Sequence, residues 1–493
     1  MTATKSLRLV AMTLLAAIAA FVLPASASAS TSQLSLIQDD RELLSLSGQD
    51  PAATMAELKA LGVDVVRTNV IYYKTYKGSE QRKRPSGFNA SNPNDPRYDW
   101  SRTDRLVDLA EQNGIQVLMT VTGPGPHFAS ETPSACRRVP CTARPRAKDF
   151  GQWVAAVAKR YRGRVAYYSL YNEPNLDVWI TPQQPRPGGG RVQTEAAIYR
   201  KLWRAGYASI AKFDRARRNR VLFGEVAAIG EPLSLFRAAL CLDENSRPFR
   251  GSLARKHGCS GRVAKLNIGG FAIHPYNANG AGTPRSRVGR KTALPIAYVP
   301  RLHRLIDTAA RRGRISRRAS VFVTEFGFQS KPPDPFGRTL AEQAQFINEA
   351  DRLFYADRRV AMVAQYELGD VPFREQFNSG LRFSPESGRA KKPAYEAYRL
   401  PIVVTRRSSK SVEVYGQVRP GRTNVVQLQS ARGSGEFTSV RDIRTNSRGF
   451  FRVTVNRGGA ARLRYRLSWQ DRDGAFFTSR VARAGKPLRY RRG

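Results

Sequence analysis

Histidine and cysteine are both scarce in this 493-residue chain, with four of each, and the shortage restricts the chemistry available to it. No cluster of His and Asp recurs at the ends of the apolar segments, and the cysteines are scattered along the chain. The sequence therefore lacks the ligand patterns that are typical of zinc sites. We expect a protein that needs no metal and no other cofactor.

Long apolar runs are absent except at the N-terminus. There Lys5 and Arg8 precede an apolar run over residues 9–23, and the small residues of Ala25-Ser26-Ala27-Ser28-Ala29 follow it. This order predicts a secretory signal peptide over residues 1–29 and an exported, extracellular protein. The apolar run is short for a membrane span, although a retained anchor is the alternative. We expect no membrane span once the signal has been cleaved.

Acidic residues are also few, because 39 Asp and Glu stand against 82 Lys and Arg and leave a net charge of +43. One explanation is a compositional bias that appears on solvated surfaces. The other is attraction to an acidic polymer, such as an anionic cell-wall polysaccharide. No nucleic-acid-binding motif accompanies the charge, so we expect no specific nucleic-acid partner.

The four cysteines form two local groups. Cys136 and Cys141 share a loop rich in proline and arginine, and Cys241 and Cys259 flank another polar segment. In an exported protein each group is expected to close a local disulfide. Four cysteines allow three pairings, and the sequence alone does not select one.

One stretch combines a predicted buried strand with a carboxylate at its end. The β-forming residues 165–169 run into Leu170 and Tyr171, and Asn172-Glu173-Pro174 ends the strand at once. A second stretch, Ser320 to Gly327, repeats this pattern with Glu325 at the end of an apolar strand. In parallel barrels the carboxyl ends of the strands carry the chemistry, so two such glutamates are candidate catalytic residues.

Asn172-Glu173-Pro174 together with Thr324-Glu325-Phe326-Gly327 resembles the catalytic pair of the clan A glycoside hydrolases, most nearly glycoside hydrolase family 5 and its cellulase-like relatives. The resemblance implies a (β/α)8 barrel in which Glu173 is the general acid/base and Glu325 the nucleophile. The separation of 152 residues fits three intervening strand–helix units. A retaining glycosidase needs two close carboxyls, one protonated and one ionised. The alternative for either glutamate is a structural ion pair.

The resemblance also implies residues that support this pair. Arg67, at the end of a predicted strand over residues 63–69, would form an ion pair with the nucleophile. Asn172 would hold the sugar 2-hydroxyl. In His274-Pro275-Tyr276 the tyrosine hydroxyl would hold the nucleophile and the histidine would line the cleft.

Other candidate substrate-binding residues lie in loops or on the last strand. His127, in a loop with two prolines, is a candidate substrate contact, and Trp179 would either stack on a sugar or anchor its loop. Tyr366 stands where many family members carry a tryptophan platform. Glu225, a third carboxylate at a strand end, is expected to support the site rather than to react.

The resemblance covers roughly residues 40–400, and we place the catalytic domain at 30–400. Its first strand is predicted at Leu43-Leu44-Ser45-Leu46, and its eighth at Val360–Tyr366. From residue 401 to 493 the pattern changes to short alternating runs separated by glycine-rich turns. These predict an all-β module, a small immunoglobulin-like sandwich. The module holds 21 basic and 5 acidic residues, and it would either bind a wall polymer or stabilise the barrel.

The sequence thus predicts a secreted, retaining β-glycoside hydrolase that acts on a poly- or oligosaccharide, expected to be monomeric. One rival is an inactive or weakly active protein that binds a wall polymer or another acidic glycan. The two strand-end glutamates argue against this rival, because a binding protein needs no close carboxylate pair. The other rival is a transglycosylase, which uses the same residues and transfers the glycosyl group to a sugar.

Overall fold

The structure is a computed structural model that describes residues 30–183, 193–277, 282–316, 318–372, 377–456 and 462–491. The predicted signal peptide lies outside the described residues. In the part of the chain that is described, no helix is both long and apolar enough to span a bilayer.

Eight parallel strands close into a barrel, in which each strand pairs with its neighbours in the order β1-β8-β7-β6-β5-β4-β3-β2. This is the (β/α)8 fold that the sequence predicts. The barrel strands are β1 (Leu34–Gln38), β2 (Val65–Ile71), β3 (Gln116–Thr122), β4 (Tyr167–Leu170), β5 (Val221–Ala227), β6 (Gly270–His274), β7 (Val321–Val323) and β8 (Val360–Tyr366). A two-residue ladder between Ser330–Lys331 and Arg338–Thr339 follows β7.

Helices surround the barrel and connect its strands. They are α1 (Asp40–Leu43), α2 (Pro51–Ala60), α3 (Tyr72–Thr75), α4 (Ser101–Asn113), α5 (Ala147–Arg160), α6 (Thr194–Phe213), α7 (Pro232–Ala239), α8 (Gly251–Lys256), α9 (Pro300–Arg311), α10 (Leu340–Tyr355) and α11 (Pro393–Arg399). Local sequence sets their starts: Asp50 caps α2 ahead of Pro51, and Thr339 and Glu342 form a capping box on α10.

The interior of the barrel changes from apolar to polar towards the carboxyl ends of the strands. An apolar layer receives a side chain from each of the eight strands, from Leu36, Val65, Leu118, Tyr167, Leu222, Ala272, Phe322 and Met362. Because side chains alternate along a strand, the next inward position is two residues further on. Six of those positions hold polar groups: Gln38, Arg67, Thr120, Ser169, His274 and Thr324. The functional layer therefore rests on a packed apolar floor.

The first strand is not where the sequence predicts it. Leu43 ends α1, and the true strand is Leu34–Gln38, which pairs with Val65–Arg67 on one side and Met362–Tyr366 on the other. The Leu43-Leu44 pair is apolar because its leucines pack on the outside of the barrel.

The C-terminal part is a sandwich of two antiparallel sheets. Its strands are β9 (Ile402–Arg406), β10 (Ser411–Gln417), β11 (Val425–Arg432), β12 (Thr438–Arg444), β13 (Phe450–Asn456), β14 (Leu463–Gln470), β15 (Phe476–Thr478) and β16 (Ala482–Arg483). One sheet has the order β9-β10-β13, and the other has β12-β11-β14-β15 with β16 also on β14. Residues of both sheets share one apolar core, as the alternating runs predict.

The sandwich is joined to the barrel through the outer face of α10. Arg352 Nη2 lies 2.7 Å from Glu413 Oε1, and Arg419 Nη2 lies 3.4 Å from Asp351 Oδ2, with all four side chains largely buried. An apolar cluster covers the same contact, formed by Leu353 and Tyr355 of α10 with Val403, Tyr415, Phe450 and Leu488. This contact fits the role of a module that stabilises the barrel.

Both local cysteine groups are disulfides. Cys136 pairs with Cys141, and Cys241 pairs with Cys259. The structure thereby selects one of the three pairings that the sequence leaves open.

Candidate active site

The guanidinium of Arg67 is the centre of the polar layer and is fully buried. Its Nη1 donates to Glu325 Oε1 over 2.7 Å, and its Nη2 donates to Glu225 Oε2 over 2.5 Å and to Asn172 Oδ1 over 2.7 Å. Nη1 also donates to the side-chain oxygen of Gln38. Burial would lower the pKa of Arg67, but Glu225 and Glu325 outweigh it and raise the pKa, so Arg67 stays a cation.

The two candidate catalytic carboxyls lie close together around a histidine. His274 Nδ1 is 2.9 Å from Glu173 Oε1 and 3.5 Å from Glu325 Oε2. One oxygen of Glu173, one of Glu325 and a ring nitrogen of His274 all lie within 4.8 Å of one another. The two carboxyls are therefore close enough to act on one bound group.

Only the carboxyls of this cluster reach the open cleft. The side chains of Glu173 and Glu325 are 18% and 11% exposed, whereas those of His274 and Arg67 are 0% exposed. A cavity of about 460 Å³ opens above the carboxyls, and Glu173, Glu325, Tyr276 and Tyr366 contribute to its lining. His274 and Arg67 thus act from behind the carboxyls. Neither side chain contributes to the cavity lining, where the sequence predicts His274.

The electrostatics of the cluster set the protonation of Glu325. Burial raises the pKa of Glu325 above its ordinary value of 4.5, while His274 and Arg67 oppose the shift. Burial would lower the pKa of His274, but the Glu325 charge and the hydrogen bond to Glu173 outweigh it and raise that pKa. Each group therefore favours the charged form of the other, as in an ion pair.

The backbone that presents these residues is strained. Tyr171, Glu173 and Glu225 have φ angles of +74°, +37° and +54°, although none is a glycine. The Glu173 N–H donates to the Glu225 carbonyl over 2.9 Å, which ties the ends of β4 and β5 together. A register shift between Gly224 and Val226 turns Glu225 towards Arg67. Strain of this kind persists only where the surrounding structure enforces it, and it is concentrated at functional sites.

Aromatic rings form one wall of the cavity. Tyr276 packs edge-on against Tyr366 and Phe377, with centroid distances of 6.4 and 5.0 Å, and its hydroxyl donates to Glu325 Oε2 over 3.4 Å. The Tyr366–Glu367 peptide is cis. Tyr366 thus stands at the cavity wall.

Another part of the cavity lining is aliphatic. Leu176 follows Glu173 by three residues, Ala227 ends β5, and Ala228 and Ile229 come next. Ile229 is 53% exposed, an unusual setting for a large aliphatic side chain. The surface beside Glu173 therefore favours an apolar face of whatever binds there.

Two predicted contacts lie away from the cavity. His127 is buried in a short 3₁₀ turn, and its Nε2 is 3.1 Å from the Arg138 carbonyl oxygen. Trp179 packs against the apolar core, and its carbonyl accepts from the Tyr171 hydroxyl over 3.1 Å. Neither is among the residues that line the cavity. Trp179 therefore anchors its loop, the alternative that the sequence leaves open, and the site proposed below excludes His127.

Several residues at the site escaped the sequence analysis. Gln38 contacts Arg67 and lies at the end of β1, which the sequence analysis places at residues 43–46 instead. The polar residues Gln38-Asp39-Asp40 directly after an apolar run are the sequence signal for this strand end. Thr120 accepts from Arg67 Nε over 3.0 Å at the matching position of β3. Phe377 and Ile229 lie in loops, where no periodic pattern could have indicated them.

The cluster of Glu173, His274 and Glu325 also has the residue types of a metal site. In the described residues, Glu173, His274 and Glu325 are a group whose ligand atoms are close enough to hold an ion. However, the fixed cation of Arg67 is 2.7 Å from Glu325 and would repel a divalent ion. The donor set fits acid/base chemistry better than metal binding.

Comparisons with known proteins give similarity in fold. No protein-family profile matches the sequence, and no curated protein matches it significantly. Similar solved structures include a glucosidase from Croceicoccus marinus, with 11% identity over 88% of this chain and 92% of that one and a TM-score of 0.49. Another is GH5_18 from Streptomyces cattleya in complex with GlcNAc, with 18% identity, 75% and 79% coverage and a TM-score of 0.45.

A third is a glycoside hydrolase family 5 structure from Bacteroides vulgatus, with 9% identity, 88% and 89% coverage and a TM-score of 0.41. All three carry the names of the enzyme class that the strand-end motifs resemble. Their similarity is too low to transfer an activity, so the chemistry must be inferred from the side chains of this barrel.

Proposed function

We propose that this protein is a secreted, retaining β-glycoside hydrolase that cleaves O-glycosidic bonds of a poly- or oligosaccharide. The observation that carries the proposal is the pair Glu173 and Glu325, with oxygens within 4.8 Å of each other at the rim of an open cavity. Retaining glycosidases hold their carboxyls about 5 Å apart, and inverting enzymes hold them much further apart.

In the first step, an ionised Glu325 oxygen attacks the anomeric carbon while the bond from that carbon to the leaving oxygen breaks. Glu173 gives its proton to the leaving oxygen, so the departing group leaves as a neutral alcohol. Arg67 and Tyr276, which contact opposite oxygens of Glu325, fix the carboxylate for attack. The product of this step is a glycosyl ester on Glu325.

In the second step, Glu173 is ionised and takes a proton from water. The water oxygen bonds to the anomeric carbon, and the ester bond to Glu325 breaks. Two displacements restore the original configuration. His274 contacts both carboxyls and therefore positions each of them as charge moves between the steps.

We also propose that Asn172, the neighbour of Glu173 in the chain, binds the sugar beside the reacting carbon. Its Oδ1 accepts from Arg67, so its Nδ2 is the group left to donate to a sugar hydroxyl. A bond from Asn172 to the 2-hydroxyl would strengthen as positive charge develops on the ring.

We place the catalytic domain at residues 30–400 and the sandwich module at 401–493.

The two disulfides and the N-terminal pattern of Lys5, Arg8 and an apolar run support export from the cell.

Azide rescue tests the two roles separately. The variants Glu173→Ala and Glu325→Ala are compared on dinitrophenyl β-glycosides of glucose, mannose, xylose and galactose, whose leaving groups need no acid. Azide should restore turnover of Glu173→Ala and give a β-glycosyl azide, because it replaces the activated water. With Glu325→Ala, azide occupies the space of the lost carboxylate and should give an α-glycosyl azide.

Glu231→Ala is the matched control, since it removes a carboxylate near the cleft that does not line the catalytic cavity. It should keep wild-type turnover without azide. If both catalytic-site variants give the same anomer, the assigned roles are wrong. If neither variant loses activity, the pair is not catalytic.

A further inference from the structure

A second feature of the molecule lies where the barrel meets the sandwich. A cavity of about 450 Å³ there is lined by Arg285, Arg464, Arg480, Arg483 and Lys486. Glu349 is the one acidic residue in this lining, and it faces Arg285 at 3.7 Å. The lining therefore has five basic side chains and one carboxylate to neutralise them.

The positive lining continues into an adjoining cavity of about 500 Å³. This second cavity shares Arg285 with the first and adds Arg287, Arg489 and Arg491, with no acidic residue in its lining. Residues 486–489 run from one cavity into the other. We call the two cavities together the basic groove.

The arrangement of these cations is energetically unfavourable for the protein alone. Arg464 and Arg483 are directly opposite each other on β14 and β16, where like charges repel. Arg480 donates to the Asn348 side chain and the Ile402 carbonyl, both neutral, and burial lowers its pKa to about 10. Two buried arginines elsewhere, Arg67 and Arg419, have acidic partners, whereas the buried Arg200 bonds backbone carbonyls and the Cys241 and Cys259 sulfurs.

Most of the groove cations have no acidic partner at all in the described chain. Among the residues that the structure describes, no ion pair involves Arg287, Arg483, Lys486 or Arg489. Cations without acidic partners are available to pair with an anionic ligand. Their position along a concave groove favours such a ligand over a surface that is only solvated.

We infer that the basic groove binds an anionic polysaccharide, one that carries uronate carboxylates along its chain. A linear polyanion would neutralise successive cations on both sides of the barrel–sandwich junction. Arg285 and Arg287 lie in the loop that follows β6, the strand that carries His274. The groove thus involves a loop that leaves the catalytic end of the barrel.

The lining favours a polysaccharide over a nucleic acid. Single-stranded nucleic acids are held by exposed aromatic rings on which the bases stack. The aromatic residues in the groove are Tyr298, which is 7% exposed and covered by Arg301, and Tyr490, which packs into the interface with α10. The choice also rests in part on the proposed glycosidase function, and a nucleic-acid probe separates the two possibilities.

The test is the affinity of the full-length protein for a fluorescent oligogalacturonate, measured by anisotropy at physiological salt. Arg483→Glu/Lys486→Glu should weaken binding at least about tenfold, because two cations that pair with the ligand become repulsive. Arg441→Glu/Arg444→Glu is the matched control: it removes the same charge from exposed positions of β12 in the same module. It should change affinity by less than about threefold, through long-range charge alone.

Equal weakening by both double variants would show attraction to net charge and overturn the groove as a site. Tighter groove-dependent binding of a single-stranded oligodeoxynucleotide would overturn the assignment to a polysaccharide. Glu325→Gln should bind the oligogalacturonate like the wild type, and its loss of binding would place the ligand in the catalytic cavity instead. Because the binding measurement needs no turnover, it tests the basic groove independently of the proposed glycosidase activity.

Discussion

At the scale of single residues, the site works by sharing one buried cation among several acceptors. Arg67 donates to Glu325, Glu225 and Asn172, so it holds a carboxylate, its supporting carboxylate and an amide in one frame. A buried charge is tolerated only when it is paired in this way. The same contacts decide which side chains face the sugar and which stay behind them.

His274 should control the acid limb of the pH–activity profile. Glu325 must be ionised to attack, and burial already raises its pKa above 4.5. His274→Gln removes a positive charge 3.5 Å from Glu325, which should raise that pKa further. The acid limb of kcat/KM should therefore move to higher pH than in the wild type.

His303→Gln provides the control for this measurement. His303 is also paired with a carboxylate, at 2.6 Å from Asp357, but it lies on α9 outside the cavity lining. It should leave the acid limb in place. A shift to lower pH in His274→Gln, or equal shifts in both variants, would contradict the electrostatic role of His274.

Residue types were the most predictable part of the site. Glu173 and Glu325 each follow an apolar segment, so their strand-end placement can be read from the sequence. Arg67 lies inside β2, which runs on to Ile71 beyond the predicted end at residue 69. The mutual distances of the three side chains could not be read in this way, since these depend on strand register and on the bulge at Gly224 and Val226. His127 shows the limit, because the turn that follows Pro126 buries its ring, where Nε2 lies 3.1 Å from the Arg138 carbonyl oxygen.

At the scale of elements, buried strands were easier to predict from the sequence than exposed strands. The eighth barrel strand was predicted with its observed bounds, Val360–Tyr366, because both of its faces are covered and its pattern is continuous. Strand β12 (Thr438–Arg444) escaped notice, because six of its seven residues are exposed and it has no apolar alternation. An edge strand of this kind carries charge rather than a hydrophobic signal.

The buried ion pair that Asp351 of α10 forms with Arg419 should contribute strongly to stability. Asp351→Ala leaves the buried Arg419 without its carboxylate, so the free energy of unfolding should fall by about 3–5 kcal/mol. The measurement is urea unfolding at neutral pH.

Asp108→Ala is the control, because Asp108 is 53% exposed in its pair with Arg164. It should cost at most about 1 kcal/mol. Similar losses for Asp351→Ala and Asp108→Ala would mean that the contact between α10 and the sandwich contributes little.

At the scale of the whole molecule, charge is the dominant feature. With 82 basic and 39 acidic residues, the folded protein repels itself. Salt screens this repulsion, and the Debye length falls from about 30 Å at 0.01 M to about 10 Å at 0.1 M. The melting temperature should therefore rise with sodium chloride over this range, on the order of 2 °C for about 1 kcal/mol.

An uncharged osmolyte at equal osmolality should produce a smaller rise. If salt instead lowers the melting temperature, attractive ion pairs outweigh the net repulsion. The positions of the charges would then affect thermal stability more than the net charge does.

The central claim is that Glu325 forms a covalent bond with the sugar, and trapping that bond tests it most directly. The mature protein is incubated with 2-deoxy-2-fluoro-β-glycosides of glucose, mannose, xylose and galactose, and the modified peptide is identified by mass spectrometry. We predict one fluoroglycosyl group on Glu325 that is absent from Glu325→Gln. An adduct on Glu173 or on another residue, or no adduct from a sugar whose aryl β-glycoside is hydrolysed, would contradict the claim.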